Sequence, residues 1–368
     1  MFTSLSIRNF RCFEELSIED SLDRVNLIAG LNSVGKTALL EAIYMFIGMG
    51  NVELIVQLGN YRGLAGNYLG ELPQLTELLW NSLFHNLNSS DVIEIKGVHC
   101  GGEHVAQVSI DRVSTTHFSV SDGRADEGTG ELESLPIYGH FLKLVHSKPD
   151  GSTIESAMVI EAASDGSLTV RVASDPPIRP ELPFRGSYLG GNKARGLQNA
   201  AAKYTRLESE REPSELLETL RIIEPRLKRL RVGVVAGTPM LRGDIGIGRM
   251  VPLTLLGDGL GSLTNILLAI ADAPGGVVLI DEIENGFHHS VLSRVWASID
   301  EAACRYNTQV FATTHSYECI EAAHEAFRDD LQYAFRLHRL ERIADETHVI
   351  TYDQETLAAA IRSNLEVR

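Results

Sequence analysis

The chain has 368 residues, 44% of them hydrophobic and 22% charged, and a formal net charge of −16. This length suits one large α/β domain with an insertion, or two domains, and the composition excludes a disordered or fibrous chain. The acidic balance argues against a protein that grips DNA over its whole surface, while leaving room for a local basic path.

The first residues carry neither a basic segment nor a long apolar one, so no secretory leader is expected. The apolar stretches at 38–47 and 277–280 fall far short of the roughly 18 residues that cross a bilayer. Cys12, Cys100, Cys304 and Cys319 form no CxxC pair, which argues against zinc and disulfides. A reducing, cytoplasmic setting without a membrane partner is the expectation.

In chain order, alternating apolar residues predict strands at 2–7 and 16–18, with a turn near 9–12 between them. Residues 25–29 predict a third strand leading into a glycine, and residues 38–47 a helix. Short alternating runs at 92–95 and 105–113 predict antiparallel strands, and 122–130 and 174–185 exposed loops. Residues 197–232 read as helical, broken at Pro213 and Pro225, too short for the long coiled-coil arm of a chromosome-organising ATPase. An α/β pattern returns from Val251: helices around 262–271, 291–304 and 317–327, strands at 277–280 and 309–313.

Gly30-Leu31-Asn32-Ser33-Val34-Gly35-Lys36-Thr37 satisfies GxxxxGK[ST] between a predicted strand and a predicted helix. Glycines let backbone N–H groups turn toward phosphates, and the helix adds its positive N-terminal end. Lys36 is expected to reach the β- and γ-phosphates of ATP, and Thr37 to place its hydroxyl on Mg²⁺. The binding set is Gly30, Asn32, Ser33, Val34, Gly35, Lys36, Thr37 and Ala38.

The strand at 277–280 ends in Asp281 and Glu282, at the edge where parallel sheets bind ligands. Asp281 is expected in the Mg²⁺ shell, and Glu282 to polarise the attacking water. His315, at the end of the next apolar strand, is expected to sense the γ-phosphate. Gly257, Asp258 and Gly259 precede a predicted helix and form a second anion-binding element. A second such element implies a site shared between two subunits.

Asn9-Phe10-Arg11, the P-loop, Gly257-Asp258-Gly259, Asp281-Glu282 with Glu284-Asn285-Gly286, and Thr314-His315-Ser316 together resemble the ABC-type ATPases of the SMC/RecF/OLD-like class. More narrowly, the chain resembles the short AAA_15/AAA_21-type ATPases found in bacterial anti-phage operons. The resemblance covers residues 1–50 and 250–368. It implies an α/β P-loop NTPase of ABC-ATPase type, with an N-terminal antiparallel β lobe. A mixed β and helical insertion would lie between the Walker A and signature motifs. The expected division is 1–50 (Walker A part), 51–250 (inserted lobe and short helical arm) and 251–368 (signature, Walker B and switch histidine). The resemblance also implies that Arg11 lies against the base or α-phosphate, and that Gly257 and Gly259 touch the γ-phosphate bound on a partner subunit. His288 falls where transporter ATPases carry the D-loop aspartate, and Asp258 departs from the transporters' LSGGQ. Gln57 and Gln74 are candidates for the glutamine loop.

Asn192-Lys193-Ala194-Arg195 lacks the carboxylate of a guanine-reading NKxD, so GTP specificity is not expected. His288, His289 and His315 lack further ligands at metal spacing. Arg226, Lys228, Arg229 and Arg231 read as a solvated helix face, with phosphate-backbone contact as the alternative. The functional expectation is an ATP-hydrolysing switch that forms a head-to-tail homodimer or higher homo-oligomer. It would serve as the ATPase component of an anti-phage system. Only 53 residues follow His315, too few for a TOPRIM-like nuclease domain, so such an effector would be separately encoded. The alternative is a RecF-like repair clamp that binds duplex DNA directly.

Overall fold

The computed structural model describes residues 1–48, 50–62, 80–111, 141–162, 168–175, 184–190, 193–210, 214–235, 237–328, 333–344 and 346–368. Strands β1 (Phe2–Phe10) and β2 (Phe13–Ile18) form an antiparallel pair in which Phe2, Leu5, Ile7, Phe10, Phe13, Leu16 and Ile18 are all buried. Asn9 and Arg11, at φ 56° and 55°, make the tight reversal between them. Strand β3 (Val25–Ala29) is buried at every residue, the pattern of a strand covered on both faces. It feeds helices α1 (Lys36–Ile47) and α2 (Glu53–Tyr61). Strands β4 (Ile93–His99), β5 (Gly102–Asp111), β6 (Phe141–Ser147), β7 (Thr153–Ala162) and β8 (Leu168–Asp175) then extend the first pair. The result is a seven-stranded antiparallel sheet in the order β2-β1-β4-β5-β6-β7-β8.

The chain continues through β9 (Gly186–Leu189), α3 (Lys193–Glu210), α4 (Ser214–Leu220) and a small sheet of β10 (Arg229–Val235), β11 (Thr238–Asp244) and β12 (Val251–Pro252). After these come α5 (Asp258–Asp272), β13 (Val277–Ile280), α6 (Leu292–Tyr306), β14 (Gln309–Thr313) and α7 (Tyr317–Phe327). Last are β15 (Phe335–Ile343), β16 (Glu346–Tyr352) and α8 (Gln354–Arg362). The second large sheet runs β16-β15-β3-β14-β13-β9, parallel except for β16.

Helix α1 lies between the two sheets, and its buried residues share one core with β1, β2 and β4. Helices α5, α6 and α7 cover the other face of the parallel sheet and share a second core with β13 and β14. Segment 51–250 therefore contributes to both sheets, through β4 to β8 in one and β9 in the other.

Two expectations are corrected. Within 197–232 the described residues are helical at 197–210 and 214–220; after Pro225 the chain forms strand β10, with Leu230 buried against the core. Pro225 lacks an N–H, and the alternating Leu230-Arg231-Val232-Gly233-Val234 is better suited to a pleated strand than a helix. The cluster Arg226, Lys228, Arg229 and Arg231 thus lies on a turn and strand, not a helix face. Asp175 and Ser174 end β8 rather than belonging to a loop. The expected loop at 122–130 and Gln74 lie outside the described residues.

Candidate nucleotide site

β3 ends at Ala29, and the loop from Gly30 delivers its backbone to the start of α1. Gly35 caps that helix at φ 107°, and a Cβ there would lie 2.7 Å from the Cys12 sulfur and from the Phe13 ring. Both backbone angle and space therefore require glycine. Leu31, Asn32 and Ser33 are exposed, while Val34 and Ala38 are buried beneath the loop. The Lys36 ammonium donates to the carbonyls of Gly30 at 2.7 Å and Leu31 at 2.9 Å. Burial lowers its pKa, and the charges of Glu284, Asp281 and Glu282 oppose that shift.

Parallel strands bring their C-terminal ends to one edge of the sheet, and here they bring Thr37 to Asp281. The Thr37 hydroxyl lies 3.2 and 3.1 Å from the two Asp281 oxygens. Thr313, the last residue of β14, donates to Asp281 Oδ1 at 2.6 Å and accepts from the Glu282 N–H at 2.8 Å. One hydroxyl thereby sets both the Asp281 side chain and the backbone of Glu282, which adopts a left-handed φ of 52°. Burial pushes the Asp281 carboxyl above its ordinary pKa range; the hydroxyls of Thr313 and Thr37 oppose this, and the charges of Glu282 and Glu41 reinforce it. A hydroxyl beside a crowded, buried carboxylate is a hard oxygen-donor set with surplus negative charge, and it fits Mg²⁺.

The Glu282 side chain points outward and accepts from Asn285 Nδ2 at 2.6 Å. His315 follows β14 and meets Glu284: its backbone N–H donates to Glu284 Oε1 at 2.9 Å, and its Nδ1 lies 3.0 Å from the same oxygen. Gly257 precedes α5 at φ 112°, with open space where a Cβ would stand. Asp258 opens the first turn. At Gly259 a Cβ would come within 2.6 Å of the Gly286 carbonyl, so the start of α5 abuts the loop that follows Glu282.

Arg11 reaches α1, where its Nε lies 3.0 Å from Glu41 Oε2, and it donates through Nη1 to the Ser82 carbonyl at 3.1 Å. Arg62 binds both oxygens of Glu41, at 2.6 and 3.0 Å. Glu41 is only 1% exposed. The Arg11 guanidinium is therefore turned toward a buried carboxylate behind the phosphate loop. Gln57 accepts from the Tyr44 hydroxyl at 2.8 Å. Both line a cavity of about 670 Å³ that also includes Tyr61, Tyr188, Lys203 and the carboxylates at 281 and 282. His288 is exposed and turns onto the Ser290 hydroxyl at 2.9 Å.

Sequence reasoning did not single out Glu41, Arg62 or Thr313. A charged residue inside the apolar run 38–47 was the signal for Glu41. Thr313 carried no comparable signal beyond its place at a strand end.

The AAA_21 family model, described as "AAA domain, putative AbiEii toxin, Type IV TA system", matches residues 125–321, more than half of the chain. The AAA_15 model, "AAA ATPase domain", matches residues 1–98. The chain is 23% identical to an ATP/GTP phosphatase of Helicobacter pylori over 373 residues, 97% of each protein. It is 46% identical over 56 residues, 15% of each protein, to the DNA replication and repair protein RecF of Nitrosococcus oceani. Among solved structures it is similar to an SMC head bound to the C-winged helix domain of ScpA, at TM-score 0.49 and 12% identity over 98% of this chain and 99% of that one. It is also similar to the SMC head domain from Thermotoga maritima, at TM-score 0.38 and 16% identity over 96% and 99%. With a P-loop, a paired Asp281 and Thr37, and family matches over both parts of the sequence, the chain belongs to the AAA_21 family and is an AAA-type ATPase.

Proposed function

We propose that this ATPase is a molecular switch that closes into a head-to-tail dimer on ATP and opens on hydrolysis. The observation that carries the reading is the Thr37 hydroxyl 3.1 Å from Asp281, which joins phosphate loop and acidic strand end into one site. Residues 1–50 and 251–368 carry the nucleotide, and 51–250 supplies the lobe around them. The backbone from Gly30 through Ala38 cradles the phosphates, and Lys36 neutralises the β- and γ-phosphates. Thr37 and Asp281 are the residues that would hold Mg²⁺, which supplies charge neutralisation on the transferred phosphoryl group. Glu282 takes a proton from the attacking water as the bond to the γ-phosphorus forms, and ADP leaves. His315 contacts the γ-phosphate. Catalysis here is positioning and electrostatics, which suits side chains already held by Thr313 and Asn285.

Gly257 and Gly259 serve the partner's γ-phosphate. The exposed helix start at Gly257, with nothing within 4 Å of a Cβ position, supports this, because a partner's phosphate needs open backbone there. Arg11 exchanges Glu41 for the nucleotide when ATP binds. In the cell, the switch acts in the cytoplasm as the ATPase component of a bacterial anti-phage defence system and controls a separately encoded, TOPRIM-like nuclease.

A second reading, a RecF-like repair clamp on duplex DNA, is favoured by Arg231 and Arg242, directly opposed on β10 and β11. Like charges in register repel unless an anion lies over them. Affinity purification of the tagged chain from its native host, with mass spectrometry, separates the two. A stoichiometric nuclease partner is the expected result; recovery with DNA alone would move the clamp reading ahead.

A further inference from the structure

Glu284 is the carboxylate of this site to which no role has yet been given. It stands two residues beyond Glu282, on the loop leaving β13, and its side chain is only 11% exposed. Its Oε1 meets His315 twice, accepting the backbone N–H at 2.9 Å and facing ring Nδ1 at 3.0 Å. Its Oε2 is buried and has no hydrogen-bond partner among the described residues. Between Glu282 and Glu284, the Ile283 N–H donates to the Thr313 carbonyl at 3.0 Å, which pins this loop to the end of β14. Beyond His315, Ser316 caps α7 by accepting from the Cys319 N–H at 3.1 Å. The backbone on both sides of the pair is therefore fixed, while the His315 ring itself is half-exposed.

An ionised carboxylate only accepts hydrogen bonds, so its place 3.0 Å from Nδ1 favours the ring form that carries the proton on Nδ1. In the neutral ring, Nε2 is then a bare acceptor. In the imidazolium form, Nε2 donates and the carboxylate balances the added charge. Nε2 has no protein partner among the described residues, so it is the atom left for an incoming group. Glu284 is also the carboxylate that acts most strongly on Lys36. Its charge therefore bears on both ends of the phosphate site.

We infer that Glu284 is a positioning residue: it holds His315 in the Nδ1–H form, with Nε2 turned to the phosphate or to the attacking water. The inference rests on the phosphate-contacting role proposed above for His315. It goes beyond that role by assigning the group that sets the ring's tautomer and angle. A histidine that freely exchanged tautomers would present the wrong nitrogen for part of the time.

The test uses the full chain labelled with ¹⁵N-histidine, and the His315 signal is identified by its loss in His315→Ala. Wild-type protein is expected to show His315 protonated at Nδ1, and Glu284→Ala a mixture of tautomers. For steady-state ATP hydrolysis, Glu284→Ala is expected to lower kcat by about 10–100-fold with little change in KM, the usual scale for losing a carboxylate that orients a histidine. Glu284→Asp should recover part of that loss. In the His315→Ala background, Glu284→Ala should cost nothing further. An unchanged Nδ1–H signal in Glu284→Ala, or a further fall in the double variant, would overturn the inference. Wild-type turnover by His315→Ala would instead remove the role proposed for His315, and the nitrogen spectrum would still decide whether Glu284 holds the ring.

Discussion

Thr313 shows how little of a site's geometry can be read from residue type. Its hydroxyl is fully buried, donates to Asp281 at 2.6 Å and accepts from the Glu282 N–H at 2.8 Å. Thr313→Val keeps the shape and removes both bonds, leaving the partly buried Glu282 N–H without that partner and Asp281 Oδ1 with the Thr37 hydroxyl alone. A loss of about 1–3 kcal/mol in unfolding free energy is expected from such an orphaned group, and urea denaturation measures it. Turnover should fall as well, because Glu282 is held at a left-handed φ of 52° that the lost bond supports. Thr313→Ser, which retains the hydroxyl, should restore most of both. Asp281 and Glu282 were legible in sequence because two acids ending an apolar strand form a pattern. Thr313 was not, and Glu284 was seen only as part of a motif, because each matters through a contact between segments 31 residues apart in the chain.

Among the elements, α1 has the most demanding position. It is packed between two sheets, with ten of its residues buried, and one of those is Glu41. The carboxylate is tolerable there because Arg11 comes from the β1–β2 turn and Arg62 from the end of α2. Two cations around one acid answer its desolvation and tie three elements to the phosphate-binding helix. Glu41→Ala should therefore cost about 3–5 kcal/mol, the scale for breaking a buried ion pair, and a thermal melt would register it as a large fall in Tm. A Tm unchanged from wild type would mean that the arginines find water or other partners.

Element boundaries were read well where a short apolar run or a P-loop marked them: β14 and α7 fall on the expected residues. The reading failed after Pro225, where charged residues alternating with aliphatic ones also fit a helix face by count. The strands β6 to β9, β15 and β16 were not foreseen. β9 pairs with β13 far along the chain and β15 with β3 far before it, whereas β6, β7 and β8, and likewise β15 and β16, are antiparallel neighbours in sequence.

At the scale of the whole molecule, the sheets place the chemistry on one edge. β3 and β13 run parallel on either side of β14, so the phosphate loop and the acidic pair emerge together. The α/β class and this convergence were legible from motif order alone. The long antiparallel sheet was seen only in part, since it is assembled from β1 and β2 plus five strands that follow α2. The central proposal is that one such edge is half of a shared site, completed by Gly257 and Gly259 of a second copy. Light scattering on Glu282→Gln at saturating ATP and Mg²⁺ tests it most directly. A species of twice the monomer mass, reverting to monomer when Lys36→Ala is added, is the predicted result; a monomer at every ATP concentration would contradict it.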